Sequence, residues 1–164
     1  MTAIYIDGDA CPVREEVYRV ANRLGLTVYV VSNGSRPIRP PGQANIVMII
    51  VDAKPDAADD WIAERITEAD VCVTGDIPLA SRCLAKSARA LAPYGKVWTG
   101  DNIGSALAGR EIGRHMRELG LSTGGGAPLT KQDRSRFLGA LDTMVQAALR
   151  GRSAAPRIPG MPQD

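Results

Sequence analysis

Short strand-like runs alternate with longer helix-like segments along most of this 164-residue chain. The first run, rich in β-branched and aromatic residues, ends at Asp7, and each later run follows a segment with helical spacing of apolar residues. Strands that alternate with helices predict a mostly parallel, doubly wound sheet with helices on both faces. We therefore expect an α/β fold with three layers, α/β/α.

The individual elements can be predicted from periodicity and from residues that start or stop helices. Strands are predicted at residues 3–7, 27–32, 46–51 and 71–74, with a short fifth strand at 96–99. Helices are predicted from Pro12 to Gly25, from Asp56 to about Ala69, from Pro78 through Leu91, from Asn102 to Leu119, and from Thr130 to Leu149. Thr130 and Asp133 resemble a capping box, with Asp in place of the usual Glu or Gln.

Length and composition predict one folded domain, residues 1–150, followed by a disordered tail, residues 151–164, that is rich in proline and glycine. The formal net charge of +2 is too small to indicate nucleic-acid binding by itself. The longest apolar run, 46–51, is far shorter than the roughly 18 residues of a membrane span. The N-terminus lacks the features of a signal peptide, so we expect a cytoplasmic protein without membrane association.

Several residues that often carry chemistry give only weak signals here. The three cysteines are odd in number and lack C-x-x-C spacing, which supports neither a disulfide framework nor a zinc site. His115 is the only histidine and falls in a late predicted helix. The glycine run 124–126 lacks the Lys and Ser or Thr of a P-loop, and we interpret it as a flexible connection.

Acidic residues recur at the positions where ligands bind in parallel sheets. Asp7 and Asp9 follow the first strand, and Asp76 follows the fourth. The carboxyl ends of parallel strands meet at one edge of the sheet, which is where ligands bind in open α/β folds. Three further acids open the helix between the third and fourth strands: Asp56, Asp59 and Asp60.

A cluster of carboxylates repels itself unless a cation lies among its members, and oxygen-rich sites suit Mg²⁺ or Mn²⁺. Such a site would hold a phosphodiester and activate water for in-line attack. Each acid also has a purely structural explanation, because Asp is favoured in the first turn of helices and in turns after strands.

Other polar residues lie where they would reach the same edge. Ser32, Asn33 and Thr74 are at strand ends. Arg36 and Arg39 lie in the proline-rich stretch 33–45, which is either a phosphate-binding lid or an ordinary solvated loop.

Four segments of the chain resemble those of the bacterial YaiI/YqxD family, which is usually grouped with PIN-like nuclease domains. They are D-G-D-A-C-P-V from Asp7, D-A-A-D from Asp56, T-G-D-I-P-L-A from Thr74, and D-R at Asp133. The resemblance covers roughly residues 4–149. The family commonly has Ala where this chain has Gly8, and we expect that difference to have little effect.

The resemblance implies a PIN-like fold in which acids from strand ends and one helix bind divalent metal and cut a phosphodiester, most often in RNA. Asp7, Asp59 and Asp76 match that pattern best, with Asp9 and Asp56 in support. Asp60 is not required by the family pattern.

Two other functions fit parts of the sequence. Haloacid-dehalogenase-like phosphatases also begin with a strand and D-x-D, which would make Asp7 the nucleophile and Asp9 the general acid. Ser32 and either Lys54 or Lys86 would complete that site, but Ala80 and Ser81 stand where such enzymes place a second acid after G-D. The third possibility is an RNA- or nucleotide-binding module without turnover.

Overall fold

The computed structural model describes residues 1–34, 38–118 and 128–151, and for 110–118 it describes the backbone only. The elements begin with strand β1 (Ala3–Asp7), helix α1 (Arg14–Leu24), β2 (Thr27–Ser32), β3 (Ile46–Ile50) and α2 (Ala57–Arg65). They continue with β4 (Val71–Val73), α3 (Ile77–Ala85), β5 (Arg89–Leu91), β6 (Val97–Trp98), α4 (Gly100–Glu118) and α5 (Lys131–Leu149).

The strands form one six-stranded sheet in the order β3-β2-β1-β4-β5-β6. Strands β1 to β5 are parallel, and only β6 runs antiparallel to its neighbour β5. The chain moves outward from β1 through β2 to β3 and then crosses over to β4, on the other side of β1. Strands β1 and β4 are therefore neighbours at the point where the direction of winding reverses.

Alternation along the strands directs side chains to two separate cores. Ile4 and Ile6 of β1 pack with residues of α1 and α5, including Val17 and Phe137. Tyr5, between them, points to the other face and packs with residues of α2 and α3. Helices therefore cover both faces of the sheet, and the expected three-layer α/β/α architecture is confirmed.

The first helix begins later than the sequence indicated. A 3-10 turn, Gly8–Ala10, follows β1, and α1 starts at Arg14 rather than near Pro12. Its end is as predicted, because Gly25 adopts a left-handed conformation with φ of 69° and donates its N–H to the carbonyl of Ala21.

The second helix is shorter than predicted, because it ends at Arg65 rather than near Ala69. A buried carboxylate organises the turn that follows it. Asp70 accepts hydrogen bonds from the N–H and hydroxyl of Thr67, each 2.9 Å long, and from the N–H of Ala3 at 3.0 Å. These bonds fix the turn that leads into β4.

The sequence does not predict strand β5, because the alanine-rich segment before Leu91 has helical character. The short strand predicted at residues 96–99 corresponds to β6 instead. Helix α3 in fact ends at Ala85, and Ser87 then takes a positive φ of 63°, which turns the chain back toward the sheet. Residues 89–91 are buried beside β4. The location of this strand depends on tertiary packing that local propensity does not reveal.

The last described helix begins with the predicted capping box. The hydroxyl of Thr130 accepts from the N–H of Asp133 at 3.0 Å, and the Asp133 carboxylate accepts from the N–H of Thr130 at 2.9 Å. The glycine run 124–126 and residues 152–164 lie outside the described residues, so the predicted domain boundary near 150 stays a prediction.

Candidate acidic site at the sheet edge

The reversal of winding between β1 and β4 creates the crevice in which open α/β sheets bind ligands. Asp7 is the last residue of β1, and Asp76 is the N-cap of α3, three residues after β4 ends. Helix α2 follows β3, so its first turn, which contains Asp59, lies at this same edge. The predicted acids therefore share one edge of the sheet.

Asp7 points toward the α2 and α3 side of the sheet, because it is two residues beyond Tyr5 on the same strand. Burial raises the pKa of its carboxyl group, and the negative charges of Asp9 and Asp76 raise it further. A hydrogen bond from the backbone of Asp9 opposes this shift. Asp7 is thus held in a half-buried position close to two other acids.

Asp59 shows the strongest electrostatic effect among the acids of this edge. Burial raises its pKa from 3.8 to about 7, followed by the charges of Asp76, Asp7 and Asp56. Arg82 lowers the pKa but does not balance the other effects. The Asp59 carboxyl group therefore keeps its proton to a much higher pH than an ordinary aspartate does.

Asp56 precedes α2 in an unusual backbone conformation. Its φ is 67°, in the left-handed region that costs a residue other than glycine of the order of 1 kcal/mol. Its side chain makes no capping hydrogen bond to α2. Strained residues of this kind often occur at functional sites, where the surrounding fold holds them in place.

Asp76 has a structural role as well as its place in the acidic group. Its Oδ1 caps α3 by accepting the N–H of Leu79 at 2.9 Å. The hydroxyl of Thr74 accepts the N–H of Asp76 at 2.9 Å, and the Thr74 carbonyl accepts from the indole N–H of Trp98 at 3.2 Å. Thr74 thus positions Asp76 from a buried location.

Asp9 carries a buried oxygen whose hydrogen-bonding capacity is unused. One carboxylate oxygen, Oδ2, accepts the N–H of Asn33 at 3.0 Å. The other, Oδ1, is buried and has no hydrogen-bond partner within the described part of the chain. An unsatisfied carboxylate oxygen is costly, and a cation would satisfy it.

A cleft of about 370 Å³ opens over this group of residues. Its lining includes four of the predicted acids, one lysine and the loop before α2: Asp7, Asp9, Ala10, Asn33, Ala53, Lys54, Pro55, Asp56, Ala57, Ala58 and Asp59. Asp76 is not part of the lining, although its negative charge contributes to the raised pKa of Asp7 and of Asp59.

Other predicted residues lie apart from the cleft. Ser32 and Thr74 are buried and do not line it. Asp60 points away and forms an ion pair with Arg82 at 2.7 Å. Arg39 is exposed in a loop, and Arg36 lies outside the described residues, as does the side chain of His115.

The lysines proposed for a phosphatase site lie at opposite ends of the molecule. Lys54 lines the cleft. Lys86 follows the C-terminus of α3, at the other edge of the sheet, and donates to the carbonyls of Ala63 and Glu64 at 2.8 and 3.2 Å. Lys86 therefore has a structural role and cannot serve the acidic site.

The side chains as they stand do not form a ready ligand group. Among the side chains that the structure describes, those of residues 1–34, 38–109 and 128–151, no three His, Cys, Asp or Glu are close enough together to hold a metal ion. The donor chemistry is nevertheless all oxygen, which suits Mg²⁺ or Mn²⁺. The acids are close enough to repel one another, but their oxygens would have to move to share one ion.

Sequence reasoning missed two features of this region. Arg82 contacts Asp60 and acts on Asp59 from a neighbouring helix, and no local pattern indicated that contact. Gly8 is tightly enclosed, since a Cβ there would lie 2.9 Å from both Ile38 Cδ1 and Val30 Cγ1. An alanine at this position would therefore require Ile38 and Val30 to shift, and the expectation that the difference from the family has little effect stays a prediction.

Comparison with known proteins places the chain in a family. Residues 5–147 match the profile of an uncharacterised bacterial family named YaiI/YqxD. The chain belongs to the YaiI/YqxD family. This confirms the resemblance seen in the sequence motifs.

Relatives in the YaiI/YqxD family match over nearly their whole length. A UPF0178 protein of Paramagnetospirillum magneticum is 57% identical over 150 residues, which cover 92% of this chain and 98% of the relative. A UPF0178 protein of Rhodospirillum centenum is 51% identical over 156 residues, covering 93% and 100%. No solved structure gave a significant match.

One YaiI/YqxD motif has a clear structural explanation. Asp133 completes the capping box of α5, and Arg134 ties that helix to α1 by donating to the carbonyl of Pro12 at 3.1 Å and to Glu16 at 3.0 Å. The remaining three motifs contain the acids of the candidate site. No described helix is both long and apolar enough to cross a membrane.

Proposed function

We propose that this protein is a divalent-metal-dependent nuclease that hydrolyses phosphodiester bonds, with RNA as the favoured substrate. Asp7, Asp59 and Asp76 would bind Mg²⁺ or Mn²⁺, and Asp9 would complete the set. Asp56 would orient water or a ligand through a hydrogen bond. We also propose that the domain is PIN-like and that the protein acts in the cytoplasm.

The observation that carries the proposal is the electrostatic cost of the acidic group. Burial raises the pKa of Asp7, and the charges of Asp9 and Asp76 raise it further. Burial, followed by the charges of Asp76 and Asp7, raises the pKa of Asp59 to about 7. A fold gains nothing from such repulsion unless a cation relieves it. The unused buried oxygen of Asp9 supports the same conclusion.

Ion binding would require the carboxylates to turn toward a common point, because they do not form a ligand group as they stand. When bound, Mg²⁺ or Mn²⁺ would polarise the phosphate and lower the pKa of a water molecule. Lys54, which lines the cleft, would contact the phosphate. The cleft of about 370 Å³ would admit part of a single strand.

The proposal is tested by cleavage of an end-labelled single-stranded RNA pool in Mn²⁺, with and without EDTA. The informative variant is Asp76→Asn, because Asn is also a good N-cap and preserves the start of α3. The matched control is Asp60→Asn, which removes an acid from the same region but outside the cleft.

We expect fragments from the parent and from Asp60→Asn, and none from Asp76→Asn or after EDTA. If the folded parent produces no fragments in Mn²⁺, or if Asp76→Asn cleaves as well as the parent, the nuclease proposal is wrong. RNA binding retained without any metal-dependent cleavage would favour a binding module.

A phosphatase is the second candidate, because Lys54 lines the same cleft as Asp7 and Asp9. In that reaction Asp7 would attack the phosphorus atom and Asp9 would protonate the leaving oxygen. A generic aryl phosphate distinguishes the two functions. Its hydrolysis by a protein that leaves RNA intact would favour the phosphatase.

A further inference from the structure

Strand β3 lies at one edge of the sheet and pairs with β2 on one side only. It belongs to a run of six consecutive apolar residues, Ile46–Val51, with no proline, glycine or charged residue within it. Natural edge strands are normally protected by such residues or by being very short. The opposite edge strand, β6, follows this rule with only two residues.

The backbone of β3 has outward-facing groups available for pairing. The carbonyl of Asn45 accepts from Val28, and the N–H of Val51 donates to Ser32. Because a strand alternates its peptide groups, odd-numbered residues bond to β2, and Ile46, Met48 and Ile50 direct theirs outward. The N–H of Ile46 bonds to the carbonyl of Gln43. Within the part of the chain that the structure describes, the backbone N–H and carbonyl groups of Met48 and Ile50 are therefore the ones that face outward.

The side chains at this edge are also exposed to an unusual degree. Ile50 is 66% exposed, more than any other large apolar side chain after Met1 in the part of the chain that the structure describes. Met48 and Ile49 are only half-buried. The strand thus combines free backbone groups with apolar side chains on both of its faces.

We propose that β3 is a self-association edge, at which a second copy of this chain adds its own β3 in the antiparallel direction. With a two-fold axis at Met48, Ile46 of one copy lies opposite Ile50 of the other, and Val47 lies opposite Ile49. Every pair formed within β3 in this register is apolar. The exposed Ile50 then gains an apolar neighbour, and the two sheets join into one sheet of twelve strands.

Charge and sequence favour a second copy in this orientation over other occupants. In the antiparallel register Asp52 of one copy lies opposite Ala44 of the other, whereas a parallel pairing would place the two Asp52 carboxylates side by side. The C-terminal residues 152–164 contain Pro156, Pro159 and Pro162, and prolines cannot donate to a strand ladder. That segment is therefore a poor strand partner.

Self-association at β3 leaves the acidic cleft open, because the new contact runs along the side of the strand and the cleft lies beyond its C-terminal end. The two clefts would lie at opposite edges of the joined sheet. The proposal is therefore independent of the nuclease proposal, and each can fail without the other.

The first test measures the mass of the full chain by sedimentation velocity over a concentration series. We expect a rise from 17.4 kDa toward twice that mass, because a contact of one strand pair is small and reversible. Ile50→Lys is expected to stay monomeric. Val97→Lys, on the opposite edge and 42% exposed in the parent, is the matched control and should dimerise like the parent.

A second test uses oxidation of single cysteine variants and depends on the register. Met48→Cys places the two new thiols directly opposite each other, with Cα atoms about 5.5 Å apart, so a reducible dimer should form. Ile50→Cys is more exposed but would lie about 14 Å from its copy and should not cross-link. The three native cysteines are buried.

Three results would overturn the proposal. The first is a parent chain that stays monomeric at all concentrations. This result counts against the proposal even if a variant truncated at Gly151 dimerises. The second is equal dimerisation of the Ile50→Lys and Val97→Lys variants. The third is cross-linking of Ile50→Cys in preference to Met48→Cys, which would show a different register or random collision.

Discussion

Asp59→Asn should stabilise the metal-free protein at alkaline pH, although it removes a residue of the candidate site. The pKa of Asp59 is raised from 3.8 to about 7, mainly by burial and then by the charges of Asp76 and Asp7. The folded state therefore holds a proton that the unfolded state has lost. As the pH rises from about 4 through 7, the ionised carboxylate increasingly destabilises the fold.

The magnitude follows from the size of this change. A rise of the pKa from 3.8 to about 7 corresponds to about 4 kcal/mol if the group is fully shielded. Asp59 is only half-buried, so solvent screening reduces the expected penalty to about 1–2 kcal/mol. The neutral amide of Asn has the same shape as the carboxyl group and removes this penalty.

The assay is urea denaturation in EDTA at pH 5 and pH 8. We expect Asp59→Asn to exceed the parent in free energy of unfolding by about 1–2 kcal/mol at pH 8, and by clearly less at pH 5. Asp60→Asn is the control, and it should lose at most about 1 kcal/mol through its exposed ion pair with Arg82. An Asp59→Asn variant less stable than the parent at pH 8 would refute the electrostatic reasoning.

Three further substitutions test the packing and hydrogen bonds around the site by urea denaturation, and Thr74→Val is tested by Mn²⁺ binding as well. Gly8→Ala should lower the free energy of unfolding by about 1–3 kcal/mol through overpacking against Ile38. A second change, Ile38→Val, should restore part of this loss. An unchanged free energy of unfolding in Gly8→Ala would contradict the close contact. Thr74→Val should cost about 1 kcal/mol and weaken Mn²⁺ binding by displacing Asp76, and unchanged binding would show that Thr74 does not position it. Asp56→Gly should be about 1 kcal/mol more stable than Asp56→Ala because of the positive φ, and the opposite order would exclude backbone strain.

Strong local patterns explain which parts of the fold could be predicted. The apolar run before Asp7 and the capping box at Thr130 each determine their structure within a few residues, and both were placed correctly. Strand β5 could not be found in this way, because its alanine-rich sequence has helical character and its burial depends on β4. The shorter α2 depends on Asp70, which reaches across the chain to Ala3.

The same distinction applies to the candidate site. Acids that follow parallel strands must share an edge, so the proximity of Asp7 and Asp76 could be predicted. The size of the effect on Asp59 depends on burial, which the sequence does not reveal. The Asp9 carboxylate accepts the N–H of the distant Asn33 through Oδ2, while its buried Oδ1 has no hydrogen-bond partner within the described residues. Only the folded structure shows this arrangement.

Direct measurement of Mn²⁺ binding tests the central claim, that the acidic edge is a cation site. Free Mn²⁺ would be followed by electron paramagnetic resonance at pH 8 as parent, Asp76→Asn or Asp60→Asn protein is added. We predict that the parent and Asp60→Asn deplete the free-ion signal to the same degree and that Asp76→Asn depletes it far less. Equal depletion by all three proteins, or none by the folded parent, would contradict a metal site at this edge.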